Sequence, residues 1–155
     1  MQSMEDHGIQ PIDLVVINLY PFETTIARED CSLPDAIENI DIGGPAMVRS
    51  AAKNFNHVTV VVNFKDYPSV LKEIGESGGS VTRKTRMRLS RDAFAHTARY
   101  DSLISRYLSN NLEDKEDFAP LFQLPFEKIQ VLRYGENPHQ AAAFYRDSDA
   151  GSQDV

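Results

Sequence analysis

Two short runs stand out from the mixed pattern of this chain: Ile12-Asp-Leu-Val-Val-Ile-Asn18 and Val58-Thr-Val-Val-Val62 are nearly continuous, apolar and β-branched. Such runs read as strands of a covered parallel sheet, so both are expected inside. Elsewhere apolar positions recur at helical intervals. Ser32 and Asp35, with Pro34 in the first turn, predict a capped helix from Leu33 to about Asn39. A helix from Pro45 to Lys53 would carry a small-residue face of Ala, Val and Met, with Arg49 and Lys53 four apart on a common face. Asp66 is placed to cap a helix running to about Glu76 and closed by Gly78-Gly79. From about Ser80 to Leu108 no Gly or Pro interrupts Met87, Phe94, Ala98, Leu103 and Tyr107, so one long helix or two abutting ones are expected. The β-α-β-α alternation predicts a three-layer α/β fold with a mostly parallel sheet, in which the two apolar runs lie parallel.

The character changes after Asn110. Asn110-Asn-Leu-Glu-Asp-Lys-Glu-Asp117 is polar and acidic, as an exposed linker would be. Beyond it, Lys128–Tyr134 and Ala141–Tyr145 read as two short strands around the polar turn Gly135–Gln140. The expected organisation is a first domain over residues 1–110, a linker over 111–125, and the first strands of a second domain over 126–155.

Candidate chemistry concentrates between Asn39 and Asn54. Gly43 and Gly44 permit backbone angles closed to other residues, and Pro45 suits the first helical position. The helix start would offer free N–H groups to an anion, and Asp41 sits where the helix dipole favours an ionised carboxylate. The same stretch also reads as an ordinary loop-to-helix junction with an acidic cap. Asn18 and Tyr20 follow the first strand, at the end of a parallel strand where ligands tend to sit; by residue type alone Tyr20 better suits a buried aromatic with a satisfied hydroxyl. The cations Arg83, Lys84, Arg86, Arg88 and Arg91 at the start of the long helix read as a solvated face.

Composition narrows the classes. A chain of 155 residues, 41% hydrophobic and 25% charged, has enough apolar material for one core. A formal net charge of -7 argues against a general nucleic-acid or anionic-membrane binder. Cys31 is the single cysteine, which rules out an internal disulfide and suits a reducing cytoplasm. No apolar run approaches a membrane span, and the amino terminus lacks the order of a signal peptide. His139 has no second histidine at ligand spacing, so no metal site is expected.

Five segments, read together, sharpen the functional expectation. They are Asn18-Leu-Tyr-Pro-Phe22, Asn39-Ile-Asp-Ile-Gly-Gly-Pro45, Ala51-Ala-Lys-Asn54, Ala95-His-Thr-Ala98 with Tyr100-Asp101, and Leu132-Arg-Tyr-Gly-Glu-Asn-Pro-His-Gln140. In this order, and across nearly the whole chain, they resemble the bifunctional purine-biosynthesis family that joins IMP cyclohydrolase to AICAR transformylase. The resemblance implies that the first domain is the later part of a cyclohydrolase with a methylglyoxal-synthase-like fold, and that residues 126–155 open the transformylase. It implies that Asn18, Tyr20, Asp41, Ile42 and Lys53 belong to the cyclohydrolase site, and that Arg133 and Tyr134 contact AICAR. Asp41, Tyr20 and Lys53 would serve ring closure of FAICAR as base, oxyanion partner and proton source for the departing water. Arg133 would fork onto phosphate oxygens.

The resemblance further implies a cytoplasmic homodimer acting on purine ribonucleotide intermediates. The cyclohydrolase would need no metal or organic cofactor, and the transformylase would take 10-formyltetrahydrofolate as co-substrate. The family's upstream phosphate-binding loops and its downstream Lys-His pair are not among these residues, so the chain is expected to be a fragment of both domains and inactive alone. A non-catalytic nucleotide-binding or assembly fragment is the alternative. A methylglyoxal synthase would share the fold but not the Arg133–Gln140 motif. One tension is geometric: a straight helix from Pro45 to Lys53 separates its ends by about 12 Å, at 1.5 Å per residue. Either that helix is shorter, or Asp41 and Lys53 grip different parts of one ligand.

Overall fold

The computed structural model describes residues 2–112, 121, 123–137 and 139–147. The chain divides into two compact units, Met1–Glu113 and Asp114–Val155. The first contains α1 (Gln2–Asp6), β1 (Leu14–Val16), α2 (Phe22–Ile26), α3 (Leu33–Glu38), α4 (Gly43–Lys53), β2 (Thr59–Val61), α5 (Tyr67–Ser77) and α6 (Arg83–Asn110). The second contains β3 (Phe126–Leu132) and β4 (Ala142–Asp147).

β1 and β2 pair in parallel, with Leu14 opposite Thr59, Val15 opposite Val60 and Val16 opposite Val61. Side chains alternate across a strand, so β2 serves two cores. Val60 packs with Val48, Ala51 and Ala52 of α4 and with Ala93 of α6. Val61 packs with Val70 of α5, Val81, and Leu89 of α6. Helices therefore cover both faces of β2, which is the expected three-layer parallel α/β arrangement. The small residues Ala51, Ala52 and Ala93 let α4 and α6 approach closely, and the Ser90 hydroxyl ties the pair by donating to the Ala52 carbonyl at 2.7 Å.

β1 departs from expectation. Val15 and Ile17 pack on the α4 side, but Leu14 and Val16 are 43% and 48% exposed. The cluster around Val61 does not extend to them, so this strand is covered on one face only.

Helix ends follow local chemistry. Ser32 and Asp35 form the predicted reciprocal capping box on α3, and Gly78 closes α5 in the left-handed conformation at φ 72°. Asp66 does not cap α5 with its side chain. A 3-10 turn over Phe64–Asp66, capped by the Asn63 side chain, precedes that helix, and the Asp66 carboxylate instead accepts from Arg88 at 2.8 Å. α6 is one continuous helix of 28 residues, capped by the Thr82 hydroxyl.

In the second unit β3 and β4 form an antiparallel hairpin with a register shift between Lys128 and Gln130. Its strands lie at Phe126–Leu132 and Ala142–Asp147, two residues from the expected bounds at several ends. The turn between them is closed by Gly135 N–H donating to the Gln140 carbonyl at 2.9 Å. Most of the expected linker over 111–125 lies outside the described residues, as does Pro138 of the turn.

Candidate functional site

Asp41 is the best-anchored of the sequence-predicted groups. Its Oδ1 accepts from Gly44 N–H at 2.7 Å and its Oδ2 from Tyr20 N–H at 3.3 Å, so one carboxylate joins the loop after β1 to the start of α4. The Asp41 backbone N–H in turn donates to the Tyr100 hydroxyl at 2.9 Å.

The glycines work differently from the sequence expectation. Neither Gly43 nor Gly44 has a positive φ; both are helical, as the first two residues of α4. Gly44 is needed for space instead, because a Cβ there would lie 2.5 Å from Asp41 Oδ2 and 2.8 Å from Leu19 Cδ2. Pro45 is consequently the third helical residue, not the first, where its missing N–H still costs nothing because the first four N–H groups have no partner in the helix. One of the N–H groups expected to await an anion, that of Gly44, is already taken by Asp41.

A cavity of about 250 Å³ opens beside the carboxyl ends of the strands, lined by Asn18, Tyr20, Glu23, His96, Arg99 and Tyr100 among others. Tyr20 is 56% exposed rather than buried, so its phenol is accessible. Arg99 pairs with Glu23 at 2.9 Å on the cavity wall. His96 is half-buried, and its Nε2 is the one buried side-chain nitrogen or oxygen among the described residues without a hydrogen-bond partner. Burial, and secondarily the nearby Arg99 charge, pushes its pKa below the ordinary value. Burial also raises the Tyr100 phenol, against the opposing effect of the Asp41 N–H bond, so Tyr100 stays neutral at physiological pH.

Asn18 and Tyr20 line this cavity; Asp41, Ile42 and Lys53 are not among its lining residues, and Asp41 is joined to Tyr20 through the Tyr20 N–H bond. Ile42 follows Asp41 directly and is 78% exposed. Lys53 is not brought to Asp41: it is the exposed last residue of α4, and that helix of 11 residues extends about 15 Å at 1.5 Å per step. The shorter-helix resolution of the geometric tension is therefore removed. Arg49, four residues before Lys53, stacks on the Phe94 ring at 5.5 Å. Arg133 and Tyr134 are exposed residues just after β3, in the other unit.

Of the cations starting α6, Arg83, Lys84 and Arg91 are exposed, as a solvated face would be, while Arg86 and Arg88 are partly buried and act as ties. Arg86 donates to the carbonyls of Phe55, Val81 and Asn56 at 2.8, 2.6 and 2.9 Å. Arg83 stacks on Phe55, and Arg88 bridges Asp66 and Asp92. Among the described residues no group of three or more His, Cys, Asp and Glu side chains could hold a metal, and no helix is long and apolar enough to cross a membrane.

His96 and Tyr100 fall within the Ala95–Asp101 motif, which by itself assigns neither a role. The available signal was their spacing of four, which puts both on one face of α6.

Comparison with known proteins adds independent information. The family model described as AICARFT/IMPCHase bienzyme matches residues 51–155, and the model described as MGS-like domain matches residues 1–46. Two curated relatives named "Bifunctional purine biosynthesis protein PurH", from Neisseria gonorrhoeae and Neisseria meningitidis, are each 54% identical over 97% of this chain. The chain spans 30% of the length of each. A crystal structure of ForH superposes with a TM-score of 0.62 at 34% identity, covering 69% of this chain and 55% of that one. The first-unit architecture is accordingly a partial MGS-like fold.

Proposed function

This chain belongs to the AICARFT/IMPCHase bienzyme family, and from that premise we propose that it supplies the later part of an IMP cyclohydrolase domain, with residues 126–155 opening an AICAR transformylase. Residues 111–125 link the two. The reaction of the first domain is closure of FAICAR to IMP. The carboxamide nitrogen attacks the formyl carbon and gives up one proton, forming a C–N bond and a carbinolamine; its C–O bond then breaks as the former formamide nitrogen loses its proton and forms a C=N bond, and the oxygen leaves with the two protons as water. The second domain transfers the formyl group of 10-formyltetrahydrofolate to AICAR. Both act on purine ribonucleotides, in a cytoplasmic homodimer.

The observation that carries this reading is the Asp41 carboxylate held between Tyr20 N–H and Gly44 N–H at the ends of the parallel strands. A carboxylate anchored at both oxygens keeps further lone pairs for a substrate proton, which suits it as the base that deprotonates the attacking nitrogen. The exposed Tyr20 phenol serves as oxyanion partner, and Asn18 and Ile42 contact the substrate. Lys53, at the far end of α4, acts on a different part of the ligand or on the leaving water once the ligand spans that length. Arg133 anchors the AICAR phosphate as a forked donor, with Tyr134 beside it.

Positioning of reacting groups supplies about 7–11 kcal/mol of a barrier. A chain spanning 30% of its relatives therefore closes FAICAR too slowly for useful turnover by itself. The distance of Lys53 from Asp41 favours the alternative to that extent: alone, the chain binds nucleotide without turning it over. The test is a chimera in which these residues replace the corresponding segment of the Neisseria gonorrhoeae relative, assayed for IMP formation beside the isolated chain. The chimera turns over and the isolated chain does not. Asp41→Asn and Lys53→Ala in the chimera each lower kcat by about 10²-fold or more, the usual span for a lost acid or base. Full activity of either variant would remove that residue from the mechanism.

A further inference from the structure

Tyr100 lies on α6, 59 residues from Asp41 in sequence, yet it is buried and touches both loops that carry the candidate site. Its hydroxyl accepts from Asp41 N–H at 2.9 Å and donates toward the Asn39 carbonyl at 3.4 Å. Its ring meets Phe22, which closes the Asn18–Phe22 segment, edge to face at 6.2 Å. Phe22 is itself held on another side by Tyr107 of the same helix, with ring centroids 5.6 Å apart. One α6 side chain thus braces the loop after β1 through its ring and the loop before α4 through its hydroxyl.

We propose that Tyr100 is a positioning residue for the Asp41 carboxylate, acting through the Asp41 backbone. The hydroxyl holds the Asp41 N–H, and from that fixed backbone the side chain reaches Gly44 N–H and Tyr20 N–H together. Neither bond is available to a loop that drifts by an ångström, because a hydrogen bond weakens steeply outside its distance and angle window. Phenylalanine at position 100 keeps the ring contact with Phe22 but leaves the Asp41 N–H and the Asn39 carbonyl without their partner. The loop then opens to water, since unpaired buried backbone groups are costly. The catalytic meaning of this brace rests on the ring-closure reading above; its physical existence does not.

The experiment is residue-resolved amide hydrogen exchange on this chain and on Tyr100→Phe. The expected result is a loss of protection of at least about tenfold at the Asp41 and Gly44 amides, with the Thr59 and Val61 amides of β2 unchanged. Equal loss across β2 would mean that Tyr100 only stabilises the fold, and unchanged protection at Asp41 and Gly44 would mean that it positions nothing; either overturns the proposal. Should the variant not fold, the unsubstituted chain still decides, because an Asp41 amide that exchanges as fast as in an unstructured peptide excludes the bond. A parallel titration with IMP separates the two readings. IMP-induced shifts at the Tyr20 and Gly44 amides that weaken in Tyr100→Phe support both. Absence of such shifts in the unsubstituted chain counts against the cyclohydrolase reading, and the exchange result then decides the role of Tyr100.

Discussion

Gly43 and Gly44 show how unlike two adjacent, identical residues are once packed. A methyl group at 44 would collide with the Asp41 carboxylate and Leu19, whereas one at 43 would meet nothing within 4 Å. Gly44→Ala should therefore cost about 1–3 kcal/mol, as overpacking does, and displace the Asp41 side chain. Gly43→Ala should gain up to about 1 kcal/mol by restricting the unfolded chain. Urea unfolding of the two variants checks the contrast; equal effects would deny the close approach at Gly44.

His96 allows a pH prediction. Its folded pKa is depressed below the ordinary 6.5 by burial and by Arg99. The unfolded chain therefore takes up the proton first as pH falls, and stability from this group is complete above about pH 6.5 and declines below it until the folded pKa is passed. Unfolding free energy measured from pH 8 to 5 should fall more steeply for the native chain than for His96→Gln. Parallel curves would show that His96 does not contribute.

At the scale of elements, α6 organises the first unit. It lends Leu89 and Ala93 to the two cores beside β2, Tyr100 to the site, and Arg86 to the segments before β2 and before itself. Arg86 crosses to three carbonyls, so Arg86→Ala should lose about 2 kcal/mol of stability, in the range for bonds made by a charged group. Arg86→Lys should restore little of it, because a single ammonium cannot span three acceptors that a planar fork reaches. Recovery of native stability by lysine in urea unfolding would refute that geometry. The helical period and the absence of Gly or Pro between Ser80 and Leu108 made α6 legible as a helix, whereas its Thr82 cap came only from the structure. That Arg86 and Arg88 are spent on acceptors at residues 55, 56 and 66 was not legible, since those lie 22 to 31 residues away in sequence; the Arg88–Asp92 pair, four apart on the helix, is the local exception.

At the scale of the molecule, the sequence by itself determined what depends on neighbours along the chain. The parallel strands followed from two β-branched runs separated by helical segments, the capping box from Ser32 and Asp35 three apart, and the hairpin from two strands around a polar turn. Family membership was legible for a related reason: five short motifs preserve residue type and order, which is all that a one-dimensional comparison reads. The tertiary structure alone decided whatever depends on residues distant in sequence. It left Leu14 and Val16 exposed on a strand that reads as buried, because composition reports the apolarity of a strand and not which of its faces is covered. It set Lys53 a helix length from Asp41, and gave Gly44 its role through the space beneath a carboxylate rather than through its dihedral freedom. It also brought Tyr100 to Asp41 across 59 residues. Propensity and periodicity act within a few residues, whereas packing joins side chains by their distance in space, which no local pattern encodes.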